Sequence, residues 1–168
     1  MSTLTFYGAV TGVTGSMHLL ETQSGRVLLD CGLYQGGREE EAHNEDPFPF
    51  SVQSIDAVVL SHAHLDHSGR LPLLVKDGFS GPIYMTSATL DLIEVLLKDA
   101  ASLQLRDIEW ENKRRRRAGK TELAPLYTME DVDKALSLCQ GLDYNAHAHA
   151  HAEDIYIYTS YFVRRTCM

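Results

Sequence analysis

Hydrophobic and polar positions divide the chain into short apolar runs and longer stretches with helical spacing. Five compact apolar runs, each bounded by glycine, proline or polar residues, have the composition of β-strands: LTFYGAV, MHLLET, RVLLD, IDAVVLS and PIYMT. IDAVVLS is nearly continuous, which is typical of a strand covered on both faces of its sheet. RVLLD ends at Asp30, so we expect this residue at a strand end, followed by a Gly-rich segment that lets backbones approach closely.

Other stretches predict helices between and after these strands. SGRLPLLVKDG predicts a short helix closed by Gly78, and a long amphipathic helix is predicted to start near Ser87. Thr128 and Asp131 have the spacing of a capping box, which would open a helix that Gly141 ends. The acidic, proline-interrupted segment REEEAHNEDPFPF predicts an exposed loop. The alternation of strands and helices favours an α/β sandwich.

Composition narrows the class of protein. A chain of 168 residues with 44% hydrophobic and 23% charged residues fits one globular domain. The net charge of −8 argues against broad attachment to nucleic acid or acidic lipid, although a local basic patch can still bind phosphates. The three cysteines include no C-x-x-C pair, which favours a reducing, cytoplasmic compartment. No apolar run is long enough to span a membrane, so no membrane partner is predicted.

The segment SHAHLDHSG, residues 61 to 69, concentrates candidate metal ligands directly after the clearest strand. His62 and His64 project to the same face while the chain is extended, so both can bind one ion. If the chain then turns into a helix, Asp66 and His67 point to a neighbouring position that suits a second ion. Nitrogen and oxygen donors of this kind suit zinc, and a pair of metal ions favours hydrolysis as the reaction class.

These residues spell H-x-H-x-D-H, and here the chain resembles the metallo-β-lactamase fold, in particular the β-CASP RNA-processing branch with its ribonuclease J-like and cleavage and polyadenylation nucleases. Four segments within residues 3 to 138 carry the resemblance: TFYGAVTGVTGSMHLLET, VLLDCGLYQGG, VVLSHAHLDHSGRLPLL and PLYTMEDVDKAL. The resemblance implies an αββα sandwich, of which we expect only the N-terminal half in residues 1 to 144, followed by an atypical His-Ala and aromatic tail in residues 145 to 168.

The resemblance also implies roles for individual residues. His62 and His64 would hold one zinc ion, and Asp66 and His67 would hold the other. Asp30 would orient this cluster without binding metal. We therefore predict Asp66 and Asp30 as catalytic residues, with Asp66 helping to position a metal-bound hydroxide that cleaves RNA phosphodiesters. His18, on a strand near the site, is predicted to be a structural histidine.

Several family ligands are missing from the sequence. The chain lacks the later histidine in a Gly-His-x-x-Gly-Ser context, a bridging aspartate and a final histidine. The expected complement of two zinc ions could therefore fall to one ion or to partial occupancy, unless another chain or a homo-oligomer completes the site. His147, His149 and His151 would share one face of a strand and could bind a metal, but they do not reproduce the family motif. The run IYIYTSYF after them has the pattern of an edge strand.

The basic run KRRRRAGK has two interpretations. Its charges, concentrated between Lys113 and Arg117, suit a solvated helix end, where they complement the helix dipole. They also suit a patch that contacts RNA phosphates. For the whole chain, the leading hypothesis is a zinc-dependent ribonuclease; the alternatives are a thioester or lactam hydrolase of the same fold and a non-catalytic metal-binding remnant.

Overall fold

A mixed β-sheet forms the centre of the fold, in a computed structural model that describes residues 1–144, 147–149 and 156–158. Its strands lie in chain order across the sheet: β1 (Thr3–Phe6), β2 (His18–Glu21), β3 (Arg26–Leu29), β4 (Ala57–Val59), β5 (Ile83–Thr86) and β6 (Cys139–Leu142). The first three strands are antiparallel neighbours, and β3 to β6 run parallel. The strands predicted from the five apolar runs are confirmed.

The helices connect the parallel strands. They are α1 (Arg38–Ala42), α2 (Leu65–Ser68), α3 (Leu71–Lys76), α4 (Ser87–Arg117) and α5 (Met129–Ser137), with 3₁₀ turns at His43–Glu45 and Val52–Ser54. The long helix starts at the predicted residue, and Gly78 follows α3 with a positive φ of 108° that suits glycine. The loop predicted at residues 38 to 50 is partly helical, because the three glutamates of α1 lie in its first turn, where negative charge stabilises a helix.

The end of α5 differs from the prediction. The capping box is confirmed: the backbone N–H of Thr128 donates to Asp131 at 2.8 Å and the backbone N–H of Asp131 donates to Thr128 at 3.3 Å. Gly141 does not end this helix, which stops at Ser137; instead Gly141 lies within β6 beside Met85. A β-carbon on Gly141 would lie 3.1 Å from the Leu90 side chain, so the close passage of α4 explains this glycine.

Strands β3, β4 and β5 are buried on both faces, as predicted for IDAVVLS. Leu28, Val58 and Ile83 are fully buried in a cluster shared with the helices. Their neighbours Val27, Ala57 and Tyr84 belong to a second cluster. Two further strands, β7 (His147–His149) and β8 (Tyr156–Tyr158), pair antiparallel and pack Ala148 and Ile157 against that second cluster. In the part of the chain that is described, no helix has the length and apolar composition needed to cross a bilayer.

Candidate metal centre

The residues of the H-x-H-x-D-H motif meet Asp30 at one edge of the sheet. Asp30 directly follows β3, and the motif begins at His62, three residues after β4 ends at Val59. Because these strands are parallel, their carboxyl ends open on the same side of the sheet, where sites of α/β proteins commonly lie. After β4 the chain bends at Ser61 and Ala63, His64 is the N-cap residue of α2, and Asp66 lies in the first turn of that helix. The turn into a helix predicted at Asp66 and His67 is confirmed.

Backbone hydrogen bonds hold the motif loop, which we define as residues 61–69, against the segment that follows β3. Two N–H groups of that segment donate to carbonyl oxygens of α2, from Cys31 to His67 at 2.7 Å and from Leu33 to Leu65 at 2.8 Å. A β-carbon on Gly32, between these donors, would lie only 1.7 Å from the carbonyl oxygen of Asp66. The close backbone approach predicted for this Gly-rich segment is therefore confirmed, and only glycine fits at position 32.

Asp30 is the buried polar centre of the site. The residue is 6% exposed, and its φ of 60° lies in the left-handed region that aspartate tolerates. Oδ1 accepts the backbone N–H of Ser61 at 2.7 Å, and Oδ2 accepts the Ser61 hydroxyl at 2.9 Å and the Ser16 hydroxyl at 3.2 Å. Oδ2 also contacts Nδ1 of His67 at 2.7 Å. Asp30 thus fixes the first residue of the motif loop and one of its imidazoles.

The candidate ligands lie as two pairs. Nε2 of His62 and Nδ1 of His64 are 3.2 Å apart, and Nε2 of His67 and Oδ2 of Asp66 are 3.6 Å apart. Two ligands of one tetrahedral zinc ion, at ordinary bond lengths, are separated by about 3.3 to 3.6 Å, and both pairs lie within about 0.1 Å of that range. Both the chemistry of the donors and their spacing therefore fit zinc. The pairs are adjacent, since the His62 and His67 ring centroids are 4.0 Å apart.

Each pair supplies only part of a zinc coordination shell. Among the residues that the structure describes, no group of three or more His, Cys, Asp or Glu side chains is arranged to hold a metal ion. A structural zinc site has four ligands and a catalytic one usually has three from the protein.

The electrostatic environment favours neutral imidazole at His62. Partial burial lowers the pKa of His62, and the neighbouring His67 and His64 lower it further, against the opposing effect of Asp30 and Asp66. Neutral imidazole is the form that binds a metal ion.

The other histidines singled out in the sequence lie outside the two donor pairs or outside the described residues. The ring of His18 packs edge-on against Phe6 at 4.9 Å, and its Nε2 lies 3.4 Å from the Ser16 hydroxyl. His147 and His149 lie on β7, but their side chains are not among the described residues, and neither is His151. A ligand role for these three stays a prediction.

Sequence reasoning missed the two serines that contact Asp30. Ser61 precedes His62 and Ser16 precedes β2 by two residues, and both hydroxyls donate to the same carboxylate oxygen. The position of Ser61, directly before the first histidine of the motif, could have indicated that this serine lies at the site. The contact of Ser16 had no signal in the sequence, because it depends on the pairing of β2 with β3.

The basic run forms the last turn of α4, as predicted, and some of its charges are paired locally. Arg114 contacts Glu111 at 3.1 Å and lies over the Trp110 ring at 5.0 Å, and Arg116 contacts Glu122 at 3.4 Å. Lys113 and Arg117 have no ion-pair partner within the described part of the chain. These two residues are the charges most available to a ligand.

Comparison with known protein families identifies the class of this fold. Residues 10–159 match the profile of the metallo-beta-lactamase superfamily. The chain belongs to this superfamily, and the predicted fold class is confirmed.

Two of the similar relatives are named ribonucleases, and a third is named a transcription termination factor. The chain is 45% identical over 138 residues to Ribonuclease TTHA0252 of Thermus thermophilus, covering 82% of this chain and 27% of the relative. It is 41% identical over 110 residues to Transcription termination factor FttA of Methanothermobacter thermautotrophicus, covering 63% and 17%. It is 35% identical over 140 residues to Probable RNase MJ4 of Methanocaldococcus jannaschii, covering 83% and 28%. The predicted resemblance to the RNA-processing branch is confirmed, and the chain spans about a quarter or less of these relatives.

Proposed function

We propose that this chain is the N-terminal part of a zinc-dependent hydrolase that cleaves RNA phosphodiesters. The observation that carries the proposal is the arrangement of four motif donors in two adjacent pairs, each with a spacing that suits one zinc ion. The ribonuclease names of two relatives support RNA as the substrate class. We assign residues 1 to 144 to the N-terminal part of a metallo-β-lactamase-like domain and residues 145 to 168 to an atypical tail.

The proposal assigns a zinc-binding atom to each of the four motif residues. His62 through Nε2 and His64 through Nδ1 would hold one zinc ion, and Asp66 through Oδ2 and His67 through Nε2 would hold the second. Zinc bound in such a site is a Lewis acid that polarises a phosphoryl oxygen and lowers the pKa of bound water towards ~7. The Asp66 carboxylate, which can only accept hydrogen bonds when ionised, would also orient the attacking water. Asp30 keeps the His67 ring in place through the 2.7 Å contact to Nδ1.

Zinc content tests the metal site. We expect the purified chain to bind up to two zinc ions, and the double variant His62→Ala, His64→Ala to lose the ion held by that pair. His43→Ala is the matched control, because His43 is an exposed histidine paired with Asp46 at 2.8 Å and contacts no motif residue. Zinc content is measured by elemental analysis after gel filtration. Equal zinc content in the double variant and the control would refute the assignment, and zinc-free wild-type chain would favour the non-catalytic remnant.

Substrate choice needs a separate assay, because the same fold and motif serve several hydrolases. Labelled single-stranded RNA and a panel of thioesters and lactams are incubated with the zinc-loaded chain. We expect cleavage of RNA that is abolished by His62→Ala. Activity on thioester or lactam alone would replace the nuclease proposal with the alternative hydrolase.

The basic end of α4, residues 113–117, is proposed as the surface that contacts RNA. Replacing Lys113 and Arg117 by glutamine should weaken RNA binding and reduce the dependence of log K on log salt by about 0.7 per lost phosphate contact. Lys98→Gln on the same helix is the control, since Lys98 is already paired with Glu94 at 2.6 Å. An unchanged salt dependence in the double variant would leave these charges as a solvated helix end.

A cytoplasmic location and completion of the site by a second copy stay predictions.

A further inference from the structure

Ser61 lies between the Asp30 carboxylate and an imidazole of the metal centre. Its Oγ is 2.9 Å from Oδ2 of Asp30 and 3.0 Å from Nδ1 of His62. A serine hydroxyl has one hydrogen to donate and two lone pairs that accept, whereas an ionised carboxylate only accepts. The hydroxyl hydrogen must therefore point to Asp30. Oγ is left as an acceptor towards His62.

This polarity determines the tautomer of His62. Because Oγ accepts, Nδ1 of His62 carries the hydrogen of the 3.0 Å contact, and Nε2 is then the unprotonated nitrogen of the neutral ring. This Nε2 lies 3.2 Å from Nδ1 of His64, the other donor that would hold the same ion, and it accepts the hydrogen of that contact in the metal-free chain. The lone pair thus points to the candidate metal position.

Asp30 determines the tautomer of His67 in the same way, but through a direct contact. Nδ1 of His67 is 2.7 Å from Oδ2 of Asp30 and 3.3 Å from Oγ of Ser61, so the shorter contact to the charged acceptor dominates. His67 therefore also carries its hydrogen on Nδ1 and exposes Nε2. One carboxylate orients a ligand in each of the two donor pairs, and only the link to His62 passes through a hydroxyl.

We propose that Ser61 is a positioning residue that passes the hydrogen-bond polarity of Asp30 to His62 and thereby fixes Nε2 of His62 as its metal-binding atom. The zinc-binding consequence rests on the function proposed above, whereas the tautomer assignment does not. The Ser61 side chain is exposed, which leaves room for the extra methyl group of threonine. Threonine retains the hydroxyl, so Ser61→Thr is a rescue variant.

The first test reads the tautomers in the metal-free chain by NMR of ¹⁵N-labelled histidine at a pH where the rings are neutral. We expect Nδ1-protonated rings for His62 and His67 in the wild type. Ser61→Ala should shift His62 towards the Nε2-protonated form and leave His67 unchanged, and Ser61→Thr should restore the wild-type signal. Ser16→Ala is the matched control, because Ser16 also donates to Oδ2 of Asp30, at 3.2 Å, but does not contact His62.

The second test measures zinc affinity by competition with a chelator. Loss of a residue that orients a metal ligand typically costs about 10 to 100-fold in affinity, so we expect Ser61→Ala to lose about 10-fold and Ser61→Thr and Ser16→Ala to stay within roughly 2-fold. An unchanged His62 tautomer in Ser61→Ala, or an equal change at His67, would overturn the proposal. A wild-type chain that binds no zinc would refute the proposed function, while the NMR signals would still decide the role of Ser61.

Discussion

The motif loop and the basic end of α4, which we define as residues 113–117, are both functional candidates, but different contacts stabilise them. The motif loop is held from distant parts of the chain: Asp30 bonds Ser61 and His67 across 31 and 37 residues of sequence. The basic end has partners a few residues away, as in the contact of Arg114 with Glu111. The geometry of the first therefore depends on the assembled sheet, whereas that of the second is set mostly within one helix.

The strongest test of this difference is Gly32→Ala, which inserts a β-carbon 1.7 Å from the Asp66 carbonyl oxygen. We expect the free energy of unfolding to fall by at least about 3 kcal/mol, since both contacting groups are backbone atoms that cannot move aside. Denaturant unfolding measures the change. Gly12→Ala is the control, because nothing lies within 4 Å of a β-carbon there, and it should change stability by less than about 0.5 kcal/mol. Similar unfolding free energies for the two variants would refute the close backbone contact of Gly32 with the motif loop.

Asp30→Asn tests the buried carboxylate at the same site. Asparagine tolerates the positive φ of 60° equally well, so the backbone is not strained by the change. Its amide offers one acceptor oxygen where the carboxylate receives hydrogen bonds at both oxygens, and we expect a loss of about 2 to 3 kcal/mol in unfolding free energy. Asp46→Asn, at an exposed carboxylate, should be nearly neutral. A loss as small as that of the control would contradict the central role of Asp30.

Asn112→Ala tests the hydrogen bonds that join α4, next to its basic end, to the segment that follows the helix. Asn112 is 8% exposed, and its side chain accepts the backbone N–H of Leu123 at 2.8 Å and donates to the carbonyl oxygen of Leu123 at 2.9 Å. We expect a loss of about 1 to 2 kcal/mol in unfolding free energy, because two backbone groups lose their partners. Lys113→Ala, at the next residue, serves as the control in the same denaturant experiment. Equal stability of both variants would mean that the segment after α4 is not anchored by Asn112.

The smallest effect is expected for Arg114→Gln within the basic end. Its contacts, to Glu111 at 3.1 Å and to the Trp110 ring at 5.0 Å, lie on an exposed helix surface. We expect less than about 0.5 kcal/mol in unfolding free energy. Thermal or denaturant unfolding is sufficient to measure it. A loss comparable to that of Asp30→Asn would show that the two regions are not held differently.

Much of the fold was predictable because local signals agreed with the tertiary structure. The apolar runs, the start of α4 at Ser87 and the capping box of Thr128 were all readable, since side-chain periodicity and capping chemistry act within a few residues. Gly141 was misread as a helix end, because glycine serves helix ends and close packing equally well. Only the position of α4 against β6 distinguishes these uses.

The sequence by itself determined the donors: four candidate ligands in six positions, placed after a buried strand by a motif short enough to be read directly. The tertiary structure decided how these donors are held. Asp30, Ser16 and Ser61 converge because β3 pairs with β2 on one side and with β4 on the other. Such contacts join residues far apart in the chain and leave no periodic pattern, so only the assembled sheet could specify them.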